Sequence, residues 1–196
     1  MPKLDYYIYA DYASWELAEG ERFELIDGVP YSMAAPSVVH QEVSGELFVQ
    51  LSNFLKGKPC KAFTAPFDVC LHAEGDMDDT VVQPDIIVVC DKTKLSDKKR
   101  CNGVPDLVIE ILSSSYSARR RDNRLKYQKY EFAGVREYWM VDPDELVAEV
   151  CVLVNGKYKT TQYKHNQFDT EPLIIPVSVL DGCEINMKEV FSVDWK

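Results

Sequence analysis

The chain has 196 residues, of which 46% are hydrophobic, an ordinary share that can fill the core of one domain with at most a small appendage. A net charge of -10 argues against a protein that coats nucleic acid by bulk electrostatics, because Lys and Arg supply most non-specific affinity for phosphate. No apolar run is long enough to cross a bilayer and Met1 to Tyr6 does not resemble a secretory signal, so a cytoplasmic location is expected.

In chain order, Asp11 to Glu19 reads as a short helix. Phe23 to Ile26 and Val29 to Met33 read as a hairpin about Asp27-Gly28, a strong tight-turn pair. Pro30 points to an exposed edge for the second strand. Val38 to Leu55 reads as a helix capped by Ser37, with Val43, Leu47, Leu51 and Leu55 in one apolar stripe. Gly57 and Pro59 stop it. Cys60 to Thr64 and Phe67 to Leu71 look like short strands, and His72 to Asp79 an acidic turn. Ile86 to Val89 is a strand, Asp91 to Gly103 a charged loop, and Asp106 to Leu112 an almost wholly apolar and therefore central strand. Ala118 to Phe132 reads as a helix ended by Gly134. Glu137 to Val141 completes a strand-helix-strand crossover. Val147 to Val154 and Lys157 to Tyr163 flank Asn155-Gly156, a second hairpin. The order implies an α/β or α+β domain with a mixed sheet. A single domain over residues 1–196 is expected, with a core at about 20–145 and a hairpin and tail at 146–196.

The six cysteines include no C-x-x-C pair, which disfavours a zinc ribbon; small, buried, reduced thiols are expected. Tyr138 and Trp139 read as core strand, and Tyr6, Tyr7 and Tyr9 as either an interface or a packed edge. Two basic runs, Lys92 to Arg100 and Arg119 to Lys129, leave room for a locally basic surface on an acidic protein.

Two carboxylates stand out. Glu110 lies inside Leu107-Val108-Ile109-Glu110-Ile111-Leu112, where a buried carboxylate is costly unless it is paired or binds a cation. Asp85 sits between Pro84 and Ile86 to Val89. If the two strands are neighbours, both carboxylates can point at one spot and hold a hard divalent cation such as magnesium. The plainer readings are a turn or cap role for Asp85 and a paired structural role for Glu110. Asp122, Lys126 and Tyr130 share one helix face, joined by Arg119; the plainer reading there is a solvated helix with an Asp122–Lys126 pair.

Gln83-Pro84-Asp85, Val108 to Ser113, the Asp122–Lys126–Tyr130 face and Gly134 to Pro143 together resemble the Uma2 family of restriction-endonuclease-like proteins, in the PD-(D/E)XK nuclease superfamily. Phe23 to Gly28 and His40 are similar to it too, and the resemblance runs from about Asp11 to Phe191. It implies a mixed central sheet flanked by helices. It also implies magnesium or manganese held by Asp85, Glu110 and the Ile111 carbonyl, with Lys126 as the third catalytic residue and Glu24 and His40 in supporting roles. The superfamily's usual lysine, two positions after the Glu, is Leu112 here, and Lys126 matches the relocated one. Ser113-Ser114-Ser115-Tyr116 lacks the proline common at that point, which alters a loop.

The expected activity is metal-dependent hydrolysis of DNA phosphodiester bonds, by an enzyme that as a homodimer could cut both strands. A non-catalytic binding protein on the nuclease fold and a small-nucleotide phosphodiesterase are the alternatives.

Overall fold

The fold is that of a computed structural model, which describes residues 5–112, 116–166, 168 and 170–192, with the backbone alone for 116–123. Expectations about Ser113 to Ser115, and about the side chains of Tyr116, Arg119, Arg120, Arg121 and Asp122, lie outside the described residues.

Helix α1 (Tyr9–Tyr12) is much shorter than the Asp11 to Glu19 helix expected. Tyr7, Tyr9, Tyr12 and Trp15 pack against Leu25, Cys70 and Val81, so aromatic area rather than helical period organises this segment; Tyr7 and Tyr9 form a packed edge, whereas Tyr6 is exposed. Strands β1 (Phe23–Ile26) and β2 (Val29–Ser32) form the hairpin. Asp27 and Gly28 take φ of 50° and 74°, the two left-handed residues of a type I′ turn. The Tyr6 ring lies over Gly28, where an added Cβ would come within 2.3 Å of it.

Helix α2 (Val38–Phe54) is capped by Ser37, whose hydroxyl accepts from the His40 amide at 3.2 Å. Strands β3 (Lys61–Thr64), β4 (Val69–Cys70), β5 (Val81–Val82), β6 (Ile86–Val89), β7 (Cys101–Asn102) and β8 (Leu107–Ile111) follow. Helix α3 (Tyr116–Ala133) then carries the chain to β9 (Glu137–Asp142), parallel to β8. Strands β10 (Val147–Val154) and β11 (Lys157–Lys164) make the second hairpin. Strands β12 (Ile174–Pro176) and β13 (Glu184–Asn186) pair before helix α4 (Met187–Phe191).

Two mixed sheets form where the sequence suggested one. The larger runs β11-β10-β9-β8-β6-β3 and the smaller β2-β1-β5-β4-β7, with β2 and its Pro30 on an edge. Pro84, which lacks an N–H for either ladder, separates β5 in one sheet from β6 in the other. All five residues of the central β8 are buried. Leu107, Ile109 and Ile111 join Ile86, Val88, Trp139 and the α2 stripe on one face. Val108, Ile87 and Val89 join Tyr130, Val135 and Tyr138 on the other. Tyr138 and Trp139 are thus both core, on opposite faces, as period two requires.

One expectation about the cysteines is corrected. Cys70, Cys101, Cys151 and Cys183 are buried thiols, but Cys60 and Cys90 form a disulfide. The antiparallel pairing of Lys61 with Val89 explains it, because one further step sets these two cysteines opposite each other. Among the described residues no helix is long and apolar enough to cross a membrane.

Candidate active site

Strand register brings the two carboxylates together. β6 and β8 pair Ile86 with Ile109 and Ile87 with Val108, so the next step sets Asp85 opposite Glu110. By alternation both side chains leave the sheet on the face that carries Ile87 and Val108. Asp85 Oδ2 accepts from the Ile111 amide at 2.7 Å and lies 3.2 Å from His40 Nε2, one turn into α2. Asp85 therefore braces the backbone as well as facing the cleft.

Glu110 is buried and meets α3. Lys126 Nζ donates to Glu110 Oε1 at 3.0 Å and Tyr130 Oη donates to the same oxygen at 2.8 Å. Their spacing of four residues sets both on one helix face, so this face is turned inward rather than solvated. Lys126 Nζ also donates to Glu24 Oε1 at 2.8 Å. Glu24 comes from β1 and accepts the Gln83 amide at 2.8 Å as well. A single ammonium thus joins a carboxylate of the smaller sheet to one of the larger.

Burial acts on these groups in opposite senses. At Glu110 it is the largest effect and raises the pKa to about 7; Lys126 pulls the other way, while Asp85 and Glu24 add to the rise. At Lys126 burial favours the neutral form, but Glu110 and Glu24 outweigh it and hold the pKa above the ordinary lysine range. We take Lys126 as the charged partner, since two carboxylates face it, and Glu110 as the group that most readily keeps a proton. Burial would lower the pKa of His40, but its bond to Asp85 and the Asp85 charge raise it. Burial and the Glu110 charge raise that of Tyr130 well above the usual phenol range, so its hydroxyl stays a donor.

The donor set suits a hard cation. The side-chain contacts of Asp85 end on Oδ2 and those of Glu110 on Oε1. Among the described residues Asp85 Oδ1 and Glu110 Oε2 are left without such partners, and all-oxygen donors are what magnesium and manganese take. Asp85, Glu110, Ile111, Lys126, Glu24 and His40 all line one cleft of about 440 Å³. A different trio, His72, Asp78 and Asp79, also has metal-like spacing. Its carboxylates, however, accept from the amides of His72, Glu74 and Thr80 and from the hydroxyls of Tyr6 and Thr80, which makes it an anchored turn.

The basic runs are partly turned inward. Arg100 is buried, bonded to Asp76 and stacked over Tyr9; Lys94 caps the Val104 carbonyl; and Lys129 pairs with Asp27. Sequence reasoning gave no role to Gln83 or Tyr130. Tyr130 was visible as a member of the Lys126 face, whereas a backbone amide such as that of Gln83 leaves no trace in a sequence.

Mixed sheets with helices packed on them and carboxylates meeting at a central strand define a restriction-endonuclease-like fold. The crystal structure of "a putative nuclease belonging to DUF820" from Anabaena variabilis is similar, with a TM-score of 0.69, 19% identity, and 94% of this chain and 97% of that chain covered. The family model Uma2, described as "Putative restriction endonuclease", matches residues 9–188, and the chain belongs to that family. It is also 30% identical over 118 residues to "Uncharacterized protein slr1290" of Synechocystis sp.; the match covers 59% of this chain and 58% of that protein.

Proposed function

We propose that the chain is a magnesium- or manganese-dependent endonuclease that hydrolyses phosphodiester bonds of DNA. The observation that carries this reading is the meeting of Asp85, Glu110 and Lys126 in one cleft. Asp85 Oδ1, Glu110 Oε2 and the Ile111 carbonyl would hold the metal. When bound, the ion polarises the scissile phosphate and acidifies a water molecule. Lys126, kept protonated by its two carboxylates, offers positive charge to the phosphate oxygens as negative charge develops there, rather than acting as a general base. Glu24 holds Lys126 in place, His40 fixes the Asp85 carboxylate, and Tyr130 fixes that of Glu110.

The test is cleavage of supercoiled plasmid and of single-stranded DNA with manganese, with magnesium and with chelator, beside Glu110→Ala. Metal-dependent cutting by the parent and none by the variant is the expected result. Undiminished cutting by Glu110→Ala sinks the assignment.

A further inference from the structure

We infer that the cleft takes an unpaired stretch of DNA, one base stacking on Tyr31 and filling the space that Gly45 leaves in the wall of α2. The inference deepens the nuclease reading and rests on it for the position of the phosphate.

Gly45 is the first observation. A glycine inside a helix is less favourable than alanine by roughly 0.5–1 kcal/mol. Packing among the described residues does not require one here, because a Cβ built at Gly45 meets none of their atoms within 4 Å. Gly45 lines the cleft, so the missing side chain keeps the helix backbone open to whatever enters. Beside it, His40, Ser44 and Phe48 recur every four residues and line the same cleft, which makes one face of α2 a wall running from the Asp85 contact to an aromatic ring.

Tyr31 is the second. It sits on the edge strand β2 directly across from Glu24 in the ladder, so its side chain leaves the sheet on the same face as the carboxylate that holds Lys126. It lines the cleft and is 37% exposed, a large ring shown to solvent in the cleft that Lys126 also lines. Aromatic rings so placed bind bases by stacking, without regard to sequence.

Size points the same way. A cleft of about 440 Å³ is of the volume that takes a small organic molecule or a single nucleotide, so an unpaired base can enter it where a base pair within a duplex cannot.

The experiment measures binding without cleavage. A short single-stranded oligodeoxynucleotide carrying a fluorescent purine analogue is titrated with the protein in chelator, with the matching duplex as competitor. The expected result is quenching on binding, weak competition by the duplex, and an affinity lowered about five- to hundredfold in Tyr31→Ala, the loss of one stack. Gly45→Leu should bind far more weakly while keeping its circular dichroism spectrum. Equal affinity for the duplex, or unchanged binding by folded Tyr31→Ala and Gly45→Leu, overturns the inference. In that case metal-dependent cutting lost in Glu110→Ala still upholds the nuclease. Single-strand binding through Tyr31 and Gly45 with no cutting in metal would do the reverse.

Discussion

Two buried carboxylates, Glu24 and Glu110, converge on Lys126. Removing it leaves Glu24 and Glu110 buried without a cation, and breaking such a pair typically costs about 3–5 kcal/mol. Lys126→Met should therefore unfold at markedly lower urea as well as lose cleavage. Glu110 sets the pH behaviour. Its folded pKa, about 7, lies above the ordinary carboxylate value, so folding favours its proton. Its contribution to stability is complete below the ordinary carboxylate range and is lost as pH rises through about 7. A metal requires the ionised form, so manganese affinity should rise across that window while metal-free stability falls. Calorimetric titration and urea melts on either side of it check both slopes, and an affinity independent of pH would contradict this. Glu110 was legible because a carboxylate in an apolar strand is costly without a partner. Glu24 and His40 were legible only by family resemblance, since their partners lie 59 or more and 45 positions away in the chain.

At the scale of elements, the periodic segments and most of the four-residue strands were readable, and the shortest pieces were not all so. The α2 stripe, the β8 run and the turns at Asp27-Gly28 and Asn155-Gly156 carry their own signals in period and turn chemistry. Strand β4 falls inside the expected Phe67 to Leu71 run, whereas β5 and β7, of two residues each, have no period to read; the ladders of neighbouring strands define them. The split into two sheets falls at residues 83–85, around Pro84, and which strands lie beside that break is not written in the local sequence. Gly45 offers a test at this scale. Gly45→Ala adds a Cβ into open space within α2 and should raise stability by roughly 0.5–1 kcal/mol. Thermal unfolding reads this directly, and a loss of stability would show that packing, not a ligand, explains the glycine.

For the whole molecule, the candidate site lies where the two sheets meet: Glu24 belongs to the smaller, Glu110 to the larger, Asp85 immediately precedes β6, and Lys126 joins Glu24 to Glu110. A ligand bound there holds both sheets and must raise the melting temperature. Manganese at a hundred times its dissociation constant should add about 2.7 kcal/mol, and Asp85→Ala should remove that shift. The fold class was legible from the order of elements; this meeting was not, because it depends on how the sheets pack. The same Lys126 bridge has an evolutionary corollary. Buried ion pairs are often outdone in stability by apolar residues of similar size. Selected for heat resistance alone, with no demand for activity, a lineage of this protein would drift toward an oily seam at positions 24, 110 and 126; under the proposed function, the charges stand there for activity rather than durability.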